Sequence, residues 1–237
     1  MELNLELGND VVTQTEGDSL ESNRKFTLDT GIYDFKIKQM YPVQNKSGSF
    51  SMQLVLETSE GKTFNPLIYF MDKEGNVTTE AKSGTNKGKK IPIRGYTQLD
   101  TICKASVGKS LSEVYKSKQS KVVIKQFTKD EKISVDMLMD IIGKSITLGI
   151  EERRVNKQGL VNGTYQNTAE ERIVNELNKV YFPGRLTAKE VETKVSTPVF
   201  ATAWLEKYKG QLIDQYKPVA GSPLPSSSSS SNSDPFA

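Results

Sequence analysis

Three consecutive runs between Gly31 and Met71, GIYDFKIKQMY, SFSMQLVLE and TFNPLIYFM, constrain this chain more than any other stretch. In the first, Tyr33, Phe35, Ile37 and Tyr41 fall on one face, with Asp34, Lys36 and Lys38 on the other. In the second, Phe50, Met52, Leu54 and Leu56 alternate with Ser49, Ser51, Gln53 and Glu57. A period of two is what a sheet with one buried and one wet face requires. The third run is apolar on both faces: Phe64, Ile68 and Phe70 oppose Leu67, Tyr69 and Met71. A strand that buries one side and keeps rings on the other has something to stack on them, protein or ligand. The expectation is a meander that opens a small β-barrel.

Residues 1–30 are polar and irregular and read as an edge strand or loose arm. After the meander, residues 81–99 carry Lys82, Lys87, Lys89, Lys90 and Arg94 with no acid among them, and Gly84, Gly88 and Gly95 keep the segment turned or mobile. Helical spacing resumes in YTQLDTICKASVG, where Leu99, Ile102, Cys103 and Val107 share a face and Gly108 suits a C-terminal cap. SLSEVYKSK reads as a second short helix, capped by Ser110 or Ser112. KVVIKQF reads as a strand and SVDMLMDIIG as a short helix or turn. KSITLGIEERRVN returns to strand character, NKQGLVNGTYQN reads as a long loop, and ERIVNELNKVYFP reads as a strand with helix as the competing assignment. LTAKEVE and VFATAWLEKYKGQLIDQY look helical. In the latter, Phe200, Trp204, Tyr208 and Leu212 recur every four residues and are expected to pack on the barrel. From Lys217 to Ala237 the chain is low-complexity, with an unbroken serine run from Ser226 to Ser231, and is expected to be disordered.

The fold class expected is mainly β with accessory helices (α+β). Three strands, one or two helices and two more strands is the order of the OB-fold, a five-stranded Greek-key barrel with a helix between its third and fourth strands. KVVIKQF and SVDMLMDIIG would be insertions. The domain reading is an arm over 1–30, an OB-like domain over 31–216 and a tail over 217–237.

Composition removes whole classes of chemistry. The 237 residues contain no histidine, so histidine general bases, Ser-His and Cys-His pairs and histidine metal sites are excluded. One cysteine, Cys103, rules out an intramolecular disulfide, fits a reducing cytoplasm and reads as a packed small side chain. Acids are scattered without the spacing of a carboxylate metal loop, so no cofactor, no metal site and no enzyme activity are expected. No apolar run approaches the roughly 18 residues of a membrane span. The acidic start, MELNLELGND, does not read as a secretory signal. The net charge of +3 implies no partner by itself; its placement matters.

Two features point to single-stranded nucleic acid. The lysine segment from Lys82 to Arg94 would neutralise phosphates and release counterions, with Lys36, Lys38, Lys46, Lys104 and Lys109 extending the field and Arg153, Arg154 and Lys157 adding to it from the loop between the last two strands. A solvated lysine loop is the ordinary alternative. GTNKGKK does not meet the phosphate-loop pattern, because Ile91 follows Lys90. Tyr41, Tyr69, Tyr96 and Tyr165 lie near these cations or on the wet face, and bases stack on such rings for about 1–3 kcal/mol each whatever the base. Tyr69 is the strongest of them, although tyrosines also pack simply with the hydroxyl at the surface. The chain closes on Asp234, Pro235, Phe236 and Ala237, an aromatic knob beside carboxylates on a polar tether.

An OB-like plan, a low-complexity linker and the ending SDPFA together resemble single-stranded DNA-binding proteins, and the size and long insertions are more similar to bacteriophage members of that class. The bacterial members end in a short acidic run closing with Pro-Phe; here one acid, Asp234, precedes Pro235–Phe236 and Ala237 follows. The resemblance implies a sequence-nonspecific single-stranded DNA-binding protein of replication, recombination and repair, with Asp234, Pro235 and Phe236 recruiting polymerase, helicase or recombination proteins, and it leaves room for a homo-oligomer. A protein-binding adaptor or host-factor inhibitor on the same barrel is the first rival. A carboxylate-metal nuclease is the second.

Overall fold

The computed structural model describes residues 27–117, 119–125, 132–161 and 164–219. Most of the expected N-terminal arm and the tail tip with Asp234, Pro235 and Phe236 lie outside the described residues. The architecture is mainly β with a few short helices. The central sheet is built from β1 (Gly31–Gln44), β2 (Phe50–Glu57), β3 (Thr63–Phe64) and β4 (Leu67–Met71), and it is completed by β9 (Ser145–Val161) and β10 (Thr164–Tyr181). Its order is β10-β9-β1-β2-β3, with β4 also beside β2. These pairings are all antiparallel.

The inward residues of the meander form the main core. Phe35, Ile37, Met52, Leu54, Leu56, Ile68 and Phe70 pack with Leu99, Ile102 and Cys103 of α1 (Arg94–Val107) and with Ile146, Leu148 and Ile150 of β9. Helix α1 lies against both β4 and β10. It ends as expected at Gly108, whose left-handed φ of 72° lets its N–H reach the Lys104 carbonyl. Ser110 caps α2 (Leu111–Ser117), exchanging hydrogen bonds with Glu113.

The structure departs from the expected alternation at several points, each with a local cause. A bulge between Ile37 and Gln39 shifts the β1 register, so Met40 takes the inward position. Tyr41 then turns to the opposite face, yet it is only 4% exposed. It is covered by the hairpin of β7 (Gln119–Lys125) and β8 (Lys132–Leu138), which sets Ile124, Val135 and Met137 against it. Residues 134–138, expected as helix or turn, thus belong to a strand; a 3₁₀ turn, Met139–Ile141, follows. The run over 63–71 is two strands, because Asn65–Pro66 interrupts it and Pro66 has no N–H to donate.

The expected loop over 156–167 is not a loop. β9 continues to Val161 and β10 resumes at Thr164, so the two form a long antiparallel ribbon. Beyond it come α3 (Ala188–Glu192), with a capping box on Thr187 and Glu190, and α4 (Val199–Tyr208). The last helix stops well short of its expected end: Gly210 has a φ of 72°, and β11 (Leu212–Asp214) follows, running parallel to β9. Trp204 is buried, whereas Phe200 and Leu212 are exposed, so the expected four-residue stripe is only partly a packing face. No helix among the described residues is long and apolar enough to cross a membrane.

Candidate nucleic-acid interface

The lysine segment is folded. β5 (Thr78–Glu80) and β6 (Lys90–Pro92) pair as a hairpin. Its tip closes through Ala81 N–H to the Lys89 carbonyl at 3.0 Å, Gly88 N–H to the Ala81 carbonyl at 2.9 Å and Lys87 N–H to the Gly84 carbonyl at 3.0 Å. Gly84 and Gly88 sit at φ of 76° and 79°, which only glycine adopts without strain. Lys82, Lys87, Lys89 and Lys90 are all exposed, and none forms an ion pair among the described residues. The arm is therefore ordered backbone carrying four lysines free of ion pairs among the described residues, with Glu80 across the ladder from Lys90.

Its root fixes the next two groups. Ile93 N–H reaches the Val77 carbonyl at 2.9 Å, and α1 starts immediately after. The first turn of α1 lies directly on β4: a Cβ added to Gly95 would stand 1.8 Å from the Tyr69 carbonyl oxygen. Glycine here lets the start of α1 close on β4 and brings Arg94 and Tyr69 to one cleft. Together with Leu67 they line a cleft of about 410 Å³ whose opposite wall is Asn175, Glu176 and Leu177 of β10. The cleft exists because β4 and β10 form no ladder with each other among the described residues. Gln98 spans the gap and donates its side-chain amide to the Leu177 carbonyl at 3.2 Å. Tyr69 is 45% and Leu67 54% exposed, as the alternation of the run requires. Arg94 lies 3.6 Å from Glu176 in an exposed pair, a geometry worth little in water.

The remaining nominated residues separate into two groups. Lys36 and Lys46 are exposed, Lys46 in the turn between β1 and β2. Lys38 is held by Glu57 at 2.8 Å. Tyr96 is half-buried against the core, and Tyr41 is buried, which raises its phenol pKa; neither offers a free ring face. Arg153, Arg154 and Lys157 do not add the expected positive field. Arg153 is only 12% exposed and binds both Glu151 and Glu176. Arg154 meets Glu171 at 2.6 Å and lies over the Tyr216 ring, and Lys157 meets Glu170 at 2.7 Å. These three brace the ribbon against itself. Lys104 and Lys109 are likewise paired, with Asp100 and Asp140, and hydrogen bonds to those carboxylates raise both lysine pKa values. Tyr165 is 71% exposed, far out on the ribbon opposite Leu160.

A second cleft, of about 600 Å³, was not marked by any sequence motif. It shares Arg94 and Gln98 with the first and adds Lys179 of β10, Lys189 of α3 and Phe200 of α4. The Lys179 ammonium stands 4.9 Å from the centre of the Phe200 ring. These residues come from three separate elements, so nothing in local spacing announces them. Among the described residues, no group of three or more Cys, Asp or Glu is placed to hold a metal ion. No protein-family model and no curated protein matches the chain.

Proposed function

We propose that this protein binds single-stranded DNA without reading its sequence, has no catalytic activity, and serves DNA replication, recombination and repair in the cytoplasm. The observation that carries this is the β5–β6 arm: four exposed lysines, without an ion pair among the described residues, rooted beside the exposed ring of Tyr69 and the guanidinium of Arg94. Lysines supply phosphate neutralisation, and a ring at the mouth of a cleft supplies stacking; together they hold an unpaired strand whatever its bases. The strand plan supports an OB-fold-like reading. β1 pairs with β2 and β9, β4 pairs with β2, β10 pairs with β9, and α1 falls between the third and fourth of these five strands, against the gap that would close the barrel. On the same reading Asp234, Pro235 and Phe236 recruit replication or recombination proteins and compete with DNA for the basic surface.

Fluorescence anisotropy with single- and double-stranded oligonucleotides at two salt concentrations tests this. The single strand should bind more tightly, affinity should fall steeply with salt, and Lys87→Glu with Lys89→Glu and Lys90→Glu should abolish most of it. Removing residues 226–237 should raise affinity. A wild-type protein indifferent to single strands, or a triple variant that binds equally well, would leave the protein-adaptor reading in its place.

A further inference from the structure

Resting on the single-strand reading above, we infer that the bound strand continues from the Tyr69 cleft across the β10 rim into the second cleft, where Phe200 stacks a further base and Lys179, Lys189 and Lys207 take the adjoining phosphates. Continuity is the first argument. Arg94 and Gln98 line both clefts, so a polymer leaving the first passes directly into the second. A third cleft then shares Phe200 with the second and carries Lys207 and Tyr208. The second argument is chemistry. Phe200 is 40% exposed at the start of α4, and Lys207 stands 5.0 Å from the centre of the Tyr208 ring. Lys179, Lys189 and Lys207 form no ion pair among the described residues.

The nearby acids are already engaged. Glu190 accepts from the backbone N–H of Thr187 at 2.7 Å and of Phe200 at 2.9 Å, which lowers its pKa. Glu176 and Glu151 both bind Arg153. Glu190 keeps its negative charge beside the Phe200 backbone, but Lys179, Lys189 and Lys207 outnumber it around the ring. A repeating ring-and-anion ligand matches an aromatic floor with lysines spaced along it.

Oligodeoxythymidines of two lengths, one filling the Tyr69 cleft alone and one reaching both, test the path on the full chain. Phe200→Ala should weaken the long oligonucleotide about tenfold and leave the short one unchanged, in keeping with the loss of one base–aromatic stack. Phe200→Tyr should retain affinity, which separates stacking from folding of α4. Lys179→Gln, at a half-buried position, with Lys207→Gln, at an exposed one, should lower the salt slope for the long oligonucleotide only. The photoreactive analogue p-benzoylphenylalanine at position 200 should crosslink to DNA. Equal losses for both lengths, no loss for either, or crosslinks only to a second protein or to the chain's own residues 220–237 would overturn the inference while leaving the proposed function standing. A wild-type chain that binds neither length would overturn the function itself.

Discussion

Arg153 shows why a residue's type does not settle its role. Its guanidinium bridges Glu151 and Glu176, and Asn178 donates to the same Glu151 carboxylate at 2.6 Å. Glu151 is 6% exposed, so removing its cation leaves a carboxylate in a dry site. Arg153→Met should cost about 3–5 kcal/mol in chemical denaturation, because an unpaired buried charge costs more than a deleted contact; a change under about 1 kcal/mol would show that water reaches the pair. Tyr181 poses the converse case. Its hydroxyl is buried with no hydrogen-bond partner among the described residues, and burial, aided by the Glu190 charge, pushes its pKa from 10.0 up to about 12. The fold therefore prefers the neutral phenol. Its contribution to stability is complete below pH 10 and is lost as pH rises through about 12. Burial of the Cys103 thiol acts in the same direction, from 9.0 to about 12. Tyr181→Phe should leave neutral-pH stability unchanged or slightly higher and flatten the alkaline fall in melting temperature; a loss at neutral pH would reveal a partner for the hydroxyl. None of this was legible in the sequence, where Arg153, Arg154 and Lys157 look like the lysines of the 81–90 stretch. What distinguishes them is the strand across the ribbon, which brings Glu170, Glu171 and Glu176 alongside.

Among the elements, β1, β2 and β4 were readable because the apolar residues of each recur with a period of two, although Tyr41 of β1 and Ser51 and Val55 of β2 are buried on the second face as well. α1 was readable from its buried stripe and its glycine cap. The outer half of the β9–β10 ribbon was not. Both its faces are largely exposed, so no alternation is required there, and polar residues read as loop. The dipeptide Asn162–Gly163, a common signal for a two-residue hairpin, was the clue available, although those two residues lie outside the described part of the chain. The strand at 132–138 was hidden by its methionine and leucine content, yet Val135 and Met137 do alternate inward. The β4–α1 junction makes the sharpest prediction at this scale. Alanine in place of a helical glycine ordinarily gains about 1 kcal/mol. At Gly95 the added carbon would lie 1.8 Å from a backbone oxygen that has no freedom to withdraw, so steric cost wins. Gly95→Ala should lose about 1–3 kcal/mol in thermal or chemical unfolding and, by separating Arg94 from Tyr69, weaken oligonucleotide binding. A variant as stable as the wild type would mean that α1 and β4 do not touch at this point.

Over the whole molecule the net charge of +3 says little, because it does not show where the cations sit or which of them a carboxylate already holds. Lysines and arginines on β9, α1 and the α1–α2 turn are matched by carboxylates. Those on the β5–β6 arm are not, and this contrast can be measured without knowing where a strand lies. For single strands the logarithm of the binding constant falls against the logarithm of salt by about 0.7 per phosphate neutralised. Replacing Lys87, Lys89 and Lys90 together with glutamine should reduce that slope by about two units and leave stability within about 0.5 kcal/mol of the wild type, since no packing is lost at the tip. The matched control is Lys104→Gln with Lys109→Gln, which removes two cations already bound to Asp100 and Asp140. If charge arrangement governs binding, the control slope stays close to that of the wild type. If both sets of variants lower the slope in proportion to the charges removed, only the overall charge matters, and the β5–β6 arm loses its claim to be the phosphate-binding element.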